Sequence, residues 1–321
     1  MRVSIIIPTK NNANILEKCL KSINNLDYPK EDLEVVIVDG HSKDGTVEIA
    51  KKYGCKVVYE NIGTIGGARN IGVQNSTGYF IVFTDADCVV EKEWLKNLLK
   101  EFRDEKIASV GGPNITPEDD KEFGKFVGDV FEILSKAGAR YAYNSDKVVE
   151  IYHNPTCNSA YRRDIFERFG GFNPKLVACD DEELDYRIRR AGYKIIFTPF
   201  ARVYHYRRSS FKSFAKMAWN YGIGRGQVIR LHREMAKWYY CTPSSIIVFV
   251  LFLIAFSAFN PAFLFLTFLI LLFGFFGIIL LSFLLSLKKR KNPMIYCILI
   301  STWFWCYGIG LIRGLIKGVK S

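Results

Sequence analysis

The chain has 321 residues and a formal net charge of +12, with 44 lysines and arginines against 32 aspartates and glutamates. That length holds one large domain or two ordinary ones. The excess positive charge lies mainly at 187–240 and 288–320, beside apolar segments, which points to anionic lipid headgroups; no basic arm or binding motif points to nucleic acid.

The chain opens on VSIIIPT, a strand pattern rather than the charged and apolar regions of a signal peptide. A helical pattern through ANILEKCLKSINN follows. The alternation then repeats in LEVVIVDG and DGTVEIAKKYG, CKVVYEN and GGARNIGVQNS, GYFIVFTDAD and KEWLKNLLKEF. Strands continuous in valine and isoleucine, separated by helices, predict a mostly parallel sheet covered on both faces. Ligands bind such sheets at the carboxyl ends of the strands. Polar residues cluster there: Thr9, Lys10 and Asn11 after the first strand, Asp39 after the second, Asn61 after the third, Asp85 and Asp87 after the fourth.

Asp85 and Asp87 stand one residue apart at the mouth of an apolar strand, where two carboxylates repel each other and resist burial. A divalent cation offsets that repulsion; the alternative is an acidic turn capping the helix in EKEWLKNLLKEF. Asp44 and Gly45, at the head of DGTVEIAKK, read as a helix cap and turn. The eight cysteines form no CxxC pair or other metal spacing. All of them, including Cys88 and Cys179 beside acidic residues, read as core and membrane residues.

Composition changes near residue 240, and 246–287 carries no charged side chain. One membrane crossing needs roughly 20 residues, so this run is too long for a single span. Asn260-Pro261 divides it into spans expected at 240–259 and 262–286, and MIYCILISTWFWCYGIGLIRGLI supplies a third apolar stretch at 294–316. The third is read as a span or as a re-entrant segment, because Arg313 lies near its end. Basic residues in RLHREMAK and KKRKN flank the first two spans on one side, which sets that side and the preceding domain in the cytoplasm. A third crossing would carry Lys317 and Lys320 to the other side. The segment 211–240 is basic and amphipathic, with Phe211, Phe214, Ala218 and Tyr221 on one face, and is expected at the membrane interface.

VSIIIPTKNN, VVIVDGHSKDGT, GGARNIG, FTDADC and DDEELDYRIRRAGYKI, in this order across about 1–205, resemble a family 2 glycosyltransferase of the GT-A fold. The resemblance implies an α/β catalytic domain at 1–208, with a nucleotide-binding half at about 1–115 and an acceptor half at about 116–208. An interfacial segment at 209–240 and a transmembrane region at 241–321 would follow. It implies that Pro8, Thr9 and Asp39 form a nucleoside pocket and that Arg69 reaches the diphosphate or ribose. Asp85 and Asp87 would be its DxD, holding Mg²⁺ or Mn²⁺ against the pyrophosphate of a nucleotide-sugar donor. In the family pattern Glu-Asp-x-Asp-Leu-x-x-Arg-Leu, Asp180 stands where Glu is usual, Asp181 on the general base, and Glu183 where Asp is usual. Which of Asp180 and Asp181 faces the acceptor stays open. Glu183–Arg187 and Asp185–Arg189 read as i,i+4 pairs at a helix start. By the same resemblance His205 is a third metal ligand or a diphosphate contact. Arg225, in YGIGRGQ, would meet the leaving diphosphate from a mobile glycine-rich segment.

The reading is an inverting, metal-dependent enzyme whose acceptor is a hydroxyl of a lipid-linked saccharide or glycolipid. A polyprenyl-phosphate glycosyl synthase is the nearest rival, but its anionic acceptor does not require the acidic cluster at 180–183. A processive polysaccharide synthase lacks support because Gln-x-x-Arg-Trp is missing. A sugar-phosphate nucleotidyltransferase would carry a glycine-rich phosphate loop that IIIPTKNNAN does not provide.

Overall fold

The computed structural model describes residues 1–137 and 145–319, so Lys320 lies outside the described residues. The chain forms two compact units, Met1–Asp120 with Ile133–Arg207, and Lys121–Glu132 with Arg208–Ser321.

The first unit begins β1 (Val3–Thr9), α1 (Ala13–Asn24), β2 (Leu33–Asp39), α2 (Thr46–Lys52), β3 (Lys56–Tyr59), α3 (Ile65–Gln74) and β4 (Phe80–Thr84). After it come β5 (Cys88–Val90), α4 (Trp94–Leu99), β6 (Ile107–Gly111) and β7 (Asn114–Ile115), and then the long helix α5 (Glu122–Ala137), whose residues up to Glu132 belong to the second unit. The remainder is β8 (Val149–Glu150), β9 (Asn158–Arg162), α6 (Arg163–Arg168), α7 (Asp180–Arg190), β10 (Lys194–Phe197) and β11 (Val203–His205). Eight strands form one sheet in the order β3-β2-β1-β4-β9-β6-β10-β8, and β5-β11-β7 form a small second sheet. β1, β2, β3 and β4 run parallel, as the alternating pattern predicts, while β9 is antiparallel to both β4 and β6.

The apolar runs explain why this sheet is central. All of β1 is buried, with Ile5 and Ile7 facing one cluster and Ile6 the other. On the first face Leu16, Cys19, Leu20 and Ile23 of α1 recur at helical spacing and cover the sheet. On the second, Phe83, Tyr161, Phe166 and Phe172 pack edge to face or tilted around β4 and β9. Apolar burial of this kind contributes about 25 cal/mol per Å² and dominates the folding free energy.

The second unit contains α8 (Phe211–Leu231), α9 (Trp238–Phe256), α10 (Ala262–Lys289) and α11 (Pro293–Lys317). The last three are each long and apolar enough to cross a membrane. The third apolar stretch is one continuous helix, with Arg313 inside it and its guanidinium 5.8 Å from the Trp219 ring. Asn260 and Pro261 do mark a turn, where the Asn260 side chain accepts from the Ala262 N–H at 2.9 Å. α10 has 28 residues, about 42 Å of helix, against a hydrocarbon core of about 30 Å. Phe265, Phe273, Phe276 and Leu287 on it are exposed, as lipid-facing residues would be.

In the segment 211–240, Phe214 and Ala218 of the apolar face are buried, and Phe214 and Tyr221 lie about α11's Trp303 at 6.1 and 5.9 Å between ring centroids, while Phe211 is exposed. YGIGRGQ is not a loose segment but the middle of α8. Its glycines serve close approach. A Cβ on Gly222 or Gly226 would come within 2.2 or 2.4 Å of the Tyr307 or Leu311 carbonyl oxygen, and Gly310 and Gly314 meet α8 in the same way. Paired small-xxx-small faces let two helical backbones touch.

Candidate active site

Thr9 and Asp39 are register partners at the carboxyl ends of β1 and β2, and Asp85 follows β4 on the other side of β1. Pro8 and Thr9 are buried there. Asp39 is fully buried, and its carboxylate accepts from the Ser42 N–H at 2.8 Å and from the Ser42 hydroxyl. Asn11 and His41 both adopt the left-handed conformation at these strand ends, with φ of 53° and 61°. The Asn11 side chain accepts from the Lys43 N–H at 2.8 Å and joins the two loops. Asp44 accepts from the Ala13 and Thr46 N–H groups at 3.1 and 3.3 Å, a capping role.

His41 and Tyr59 were not singled out by sequence reasoning. Their rings stack at 5.4 Å and 15°, and His41 Nε2 lies 2.7 Å from Asn61 Oδ1. Tyr59 is the register partner of Asp39, a neighbourhood that the periodicity of single strands does not reveal.

Arg69, on α3, is buried between two acidic motifs. One guanidinium nitrogen donates to Asp85 Oδ1 at 3.0 Å and another to Asp180 Oδ2 at 3.3 Å. Burial works against its charge, but Asp85 and Asp180 outweigh burial and hold the pKa above the ordinary arginine value. The Asp85 carboxyl is pushed upward by burial, with Arg69 opposing.

Asp180 and Asp181 open α7 and differ in setting. Asp180 is buried, and burial pushes its carboxyl up to about 6, with Asp181 adding to the shift and Arg69 opposing it. Asp181 is half-buried and accepts from the Thr156 and Glu182 N–H groups at 3.3 and 2.8 Å. Glu183 and Arg187 form the expected pair, two-pronged at 2.8 and 2.9 Å, and Arg187 also donates to the Gly171 carbonyl at 2.7 Å. Asp185 does not take Arg189 as a hydrogen-bond partner. Its carboxylate turns inward, accepting from the Tyr161 hydroxyl at 2.8 Å and the Asn154 N–H at 2.9 Å, while Arg189 lies over the Tyr152 ring.

Asp87 and His205 meet, with His205 Nε2 at 3.3 Å from Asp87 Oδ1. The antiparallel pairing of β5 with β11 sets His205 opposite Cys88, and ligand atoms of Asp87, Cys88 and His205 lie within 4.8 Å of one another. A carboxylate, an imidazole and a thiol converging so closely fit a divalent ion. Asp85 is outside this group and pairs with Arg69 instead. Burial acts against the charged His205 ring, yet the Asp87 carboxylate prevails and the pKa is pushed up to about 10. Arg225 belongs to the second unit, buried on α8 with its guanidinium 3.8 Å from the Tyr240 ring centroid.

The mostly parallel sheet with acidic groups at its strand ends is a GT-A-like α/β domain, and the comparisons give the family. Residues 4–170, slightly over half of the chain, match the Glycosyl transferase family 2 model, and the chain belongs to that family. It is a glycosyltransferase. Among curated relatives it is 28% identical, over 98% of both chains, to the dolichyl N-acetyl-alpha-D-glucosaminyl phosphate 3-beta-D-2,3-diacetamido-2,3-dideoxy-beta-D-glucuronosyltransferase of Methanococcus voltae. It is 29% identical to Glycosyltransferase AglE of Haloferax volcanii, over 72% of this chain and 75% of that one. A solved mannosyltransferase from Pyrobaculum calidifontis, in complex with GDP-Man and Mn²⁺, has a TM-score of 0.66. That match covers 98% of this chain and 86% of the other at 21% identity, a likeness of fold.

Proposed function

We propose that this family 2 enzyme is an inverting transferase that moves a sugar from a nucleotide-sugar to a hydroxyl of a lipid-linked saccharide or glycolipid. One observation carries the reading: Arg69 ties Asp85, of the DxD loop, to Asp180, immediately before the half-buried Asp181. Donor-side and acceptor-side acids thereby share one buried cation, and binding on one side is aligned with the base on the other.

Pro8, Thr9 and Asp39 hold the nucleoside. Asp181 is the base, because its carboxylate is the more open of the pair. It takes the proton of the acceptor hydroxyl as that oxygen attacks the anomeric carbon opposite the nucleotide. The new glycosidic bond forms as the bond to the diphosphate breaks, so the anomeric configuration inverts. Asp180 holds Arg69 in place and does not itself take the proton. Asp87 and His205, with Asp85 beside them, would hold Mg²⁺ or Mn²⁺. Such an ion, when bound, neutralises charge on the leaving nucleoside diphosphate as a Lewis acid.

The lipid-borne acceptor is supported by the dolichyl phosphate named for the Methanococcus voltae relative and by the three apolar helices. Residues 1–208 form the catalytic domain in this reading, set on the cytoplasmic side by the basic residues at 230–237 and 288–292. The test offers a panel of nucleotide-sugars with Mg²⁺ or Mn²⁺ to membranes containing the full chain and follows lipid-linked products. Asp181→Ala is expected to abolish transfer while donor binding persists. If that variant transferred sugar at the wild-type rate, the hydroxyl acceptor would be abandoned and a polyprenyl-phosphate acceptor would lead.

A further inference from the structure

We infer that the ion site carries sulfur: Cys88, with Asp87 and His205 and with Cys157 alongside, forms a mixed oxygen, nitrogen and thiolate site that prefers Zn²⁺ to Mg²⁺. The inference rests on the proposal that Asp87 and His205 hold a divalent ion, and adds to it what the neighbouring cysteines do.

The strand register brings the thiol in. β5 and β11 pair antiparallel with Cys88 directly opposite His205, so the two side chains stand on the same face of the small sheet. The Cys88 sulfur, an Asp87 oxygen and a His205 nitrogen consequently lie within 4.8 Å of one another. Cys157, just before β9, lies close enough to Cys88 and His205 for both to act on its thiol, and its sulfur accepts from Asn114 Nδ2 at 3.4 Å. Cys88 is 0% and Cys157 5% exposed, so neither thiol faces bulk water.

Buried cysteines ordinarily act as small apolar residues. Here the sulfurs adjoin a carboxylate and an imidazole instead of only core side chains. Mg²⁺ takes oxygen ligands in octahedral geometry, whereas thiolate and imidazole together suit tetrahedral Zn²⁺. Cys88 gives up its Sγ proton to solvent as the sulfur–metal bond forms. Arg207, whose guanidinium nitrogen lies 3.2 Å from His205 Nδ1, adds a neighbouring positive charge that the ion must tolerate. Zinc in this site would compete with the ion that binds donor.

The test titrates the purified full-length protein in detergent with Co²⁺, a spectroscopic substitute for Zn²⁺. The wild type is expected to give a near-ultraviolet thiolate-to-cobalt band that Zn²⁺ bleaches. Cys88→Ser is expected to lose the band and to bind Zn²⁺ about 10–100-fold more weakly. Cys157→Ser, measured in parallel, reports the second sulfur, and each variant's thermal unfolding is compared with wild type. Co²⁺ binding that depends on Asp87 and His205 but shows no thiolate band overturns the sulfur and leaves the ion reading intact. Absence of Co²⁺ binding, with and without a nucleoside diphosphate, overturns both.

Discussion

Arg69 serves Asp85 and Asp180 with separate nitrogens of one planar guanidinium, a geometry that a lysine ammonium does not reproduce. Arg69→Lys is therefore expected to lower kcat about 100-fold, the order expected when reacting groups are misplaced by an ångström. Steady-state transfer checks it, and an unchanged kcat would remove the bridge from the mechanism. Asp181→Asn is expected to lower kcat by about 10²–10⁴-fold with donor KM nearly unchanged. Asp180 adds a pH dependence, since burial holds its carboxyl near 6. As pH falls through that value the group gains a proton and Arg69 loses an anionic partner, so transfer declines; a pH–rate profile of Asp180→Asn should lack that limb. The stability sign is the reverse of the activity sign. A carboxyl whose folded pKa of about 6 exceeds its ordinary 3.8 binds its proton more tightly when folded. Its contribution to stability is present below 3.8 and is lost as pH rises to about 6. The acids were legible as motifs because chemistry demands them at strand ends and at a helix start. The double role of Arg69 was not, because its partners lie 16 and 111 positions away and only the folded sheet joins them. Cys88, read as a core residue, is buried in the core as expected, but its place opposite His205 comes from strand pairing and not from spacing.

The helix pair α8 and α11 makes its contact through backbone. Replacing Gly226 by leucine sets a side chain against the Leu311 carbonyl and is expected to cost at least about 1–3 kcal/mol as overpacking. A lowered melting temperature in detergent, with a changed Trp303 emission, would register it; a neutral result would mean that the pair does not hold its spacing. YGIGRGQ looked mobile in sequence because glycine is poor in isolated helices. The partner helix reverses that preference, since only glycine admits the approach. α7 shows the complementary limit. Its acidic start was readable, but the inward turn of Asp185 depends on Tyr161 and Asn154, which no helical period predicts.

Across the whole molecule, three long apolar helices with exposed phenylalanines define how the chain must be handled. The protein is expected to stay in the membrane fraction after high-salt and alkaline washes and to leave it only with detergent. Release by salt alone would mean that surface charge, not hydrocarbon burial, anchors it. These helices were the plainest feature in the sequence because hydrocarbon tolerates no unsatisfied backbone. The first two apolar stretches were readable as spans, while the third stood between a span and a re-entrant segment; its continuity past Arg313 shows only in the folded helix, where Arg313 lies over Trp219. That packing also sets an order of assembly. The Gln227 side chain donates to the Gly318 carbonyl across 91 positions, and Arg230 to the carbonyls of Leu315 and Ile316. During synthesis α8 therefore waits until residues 315–318 have emerged, roughly 5–20 s at ordinary translation speeds. Throughout that interval its bare glycine face is open to chaperones and proteases, so loss of the last dozen residues would act on folding yield rather than on turnover.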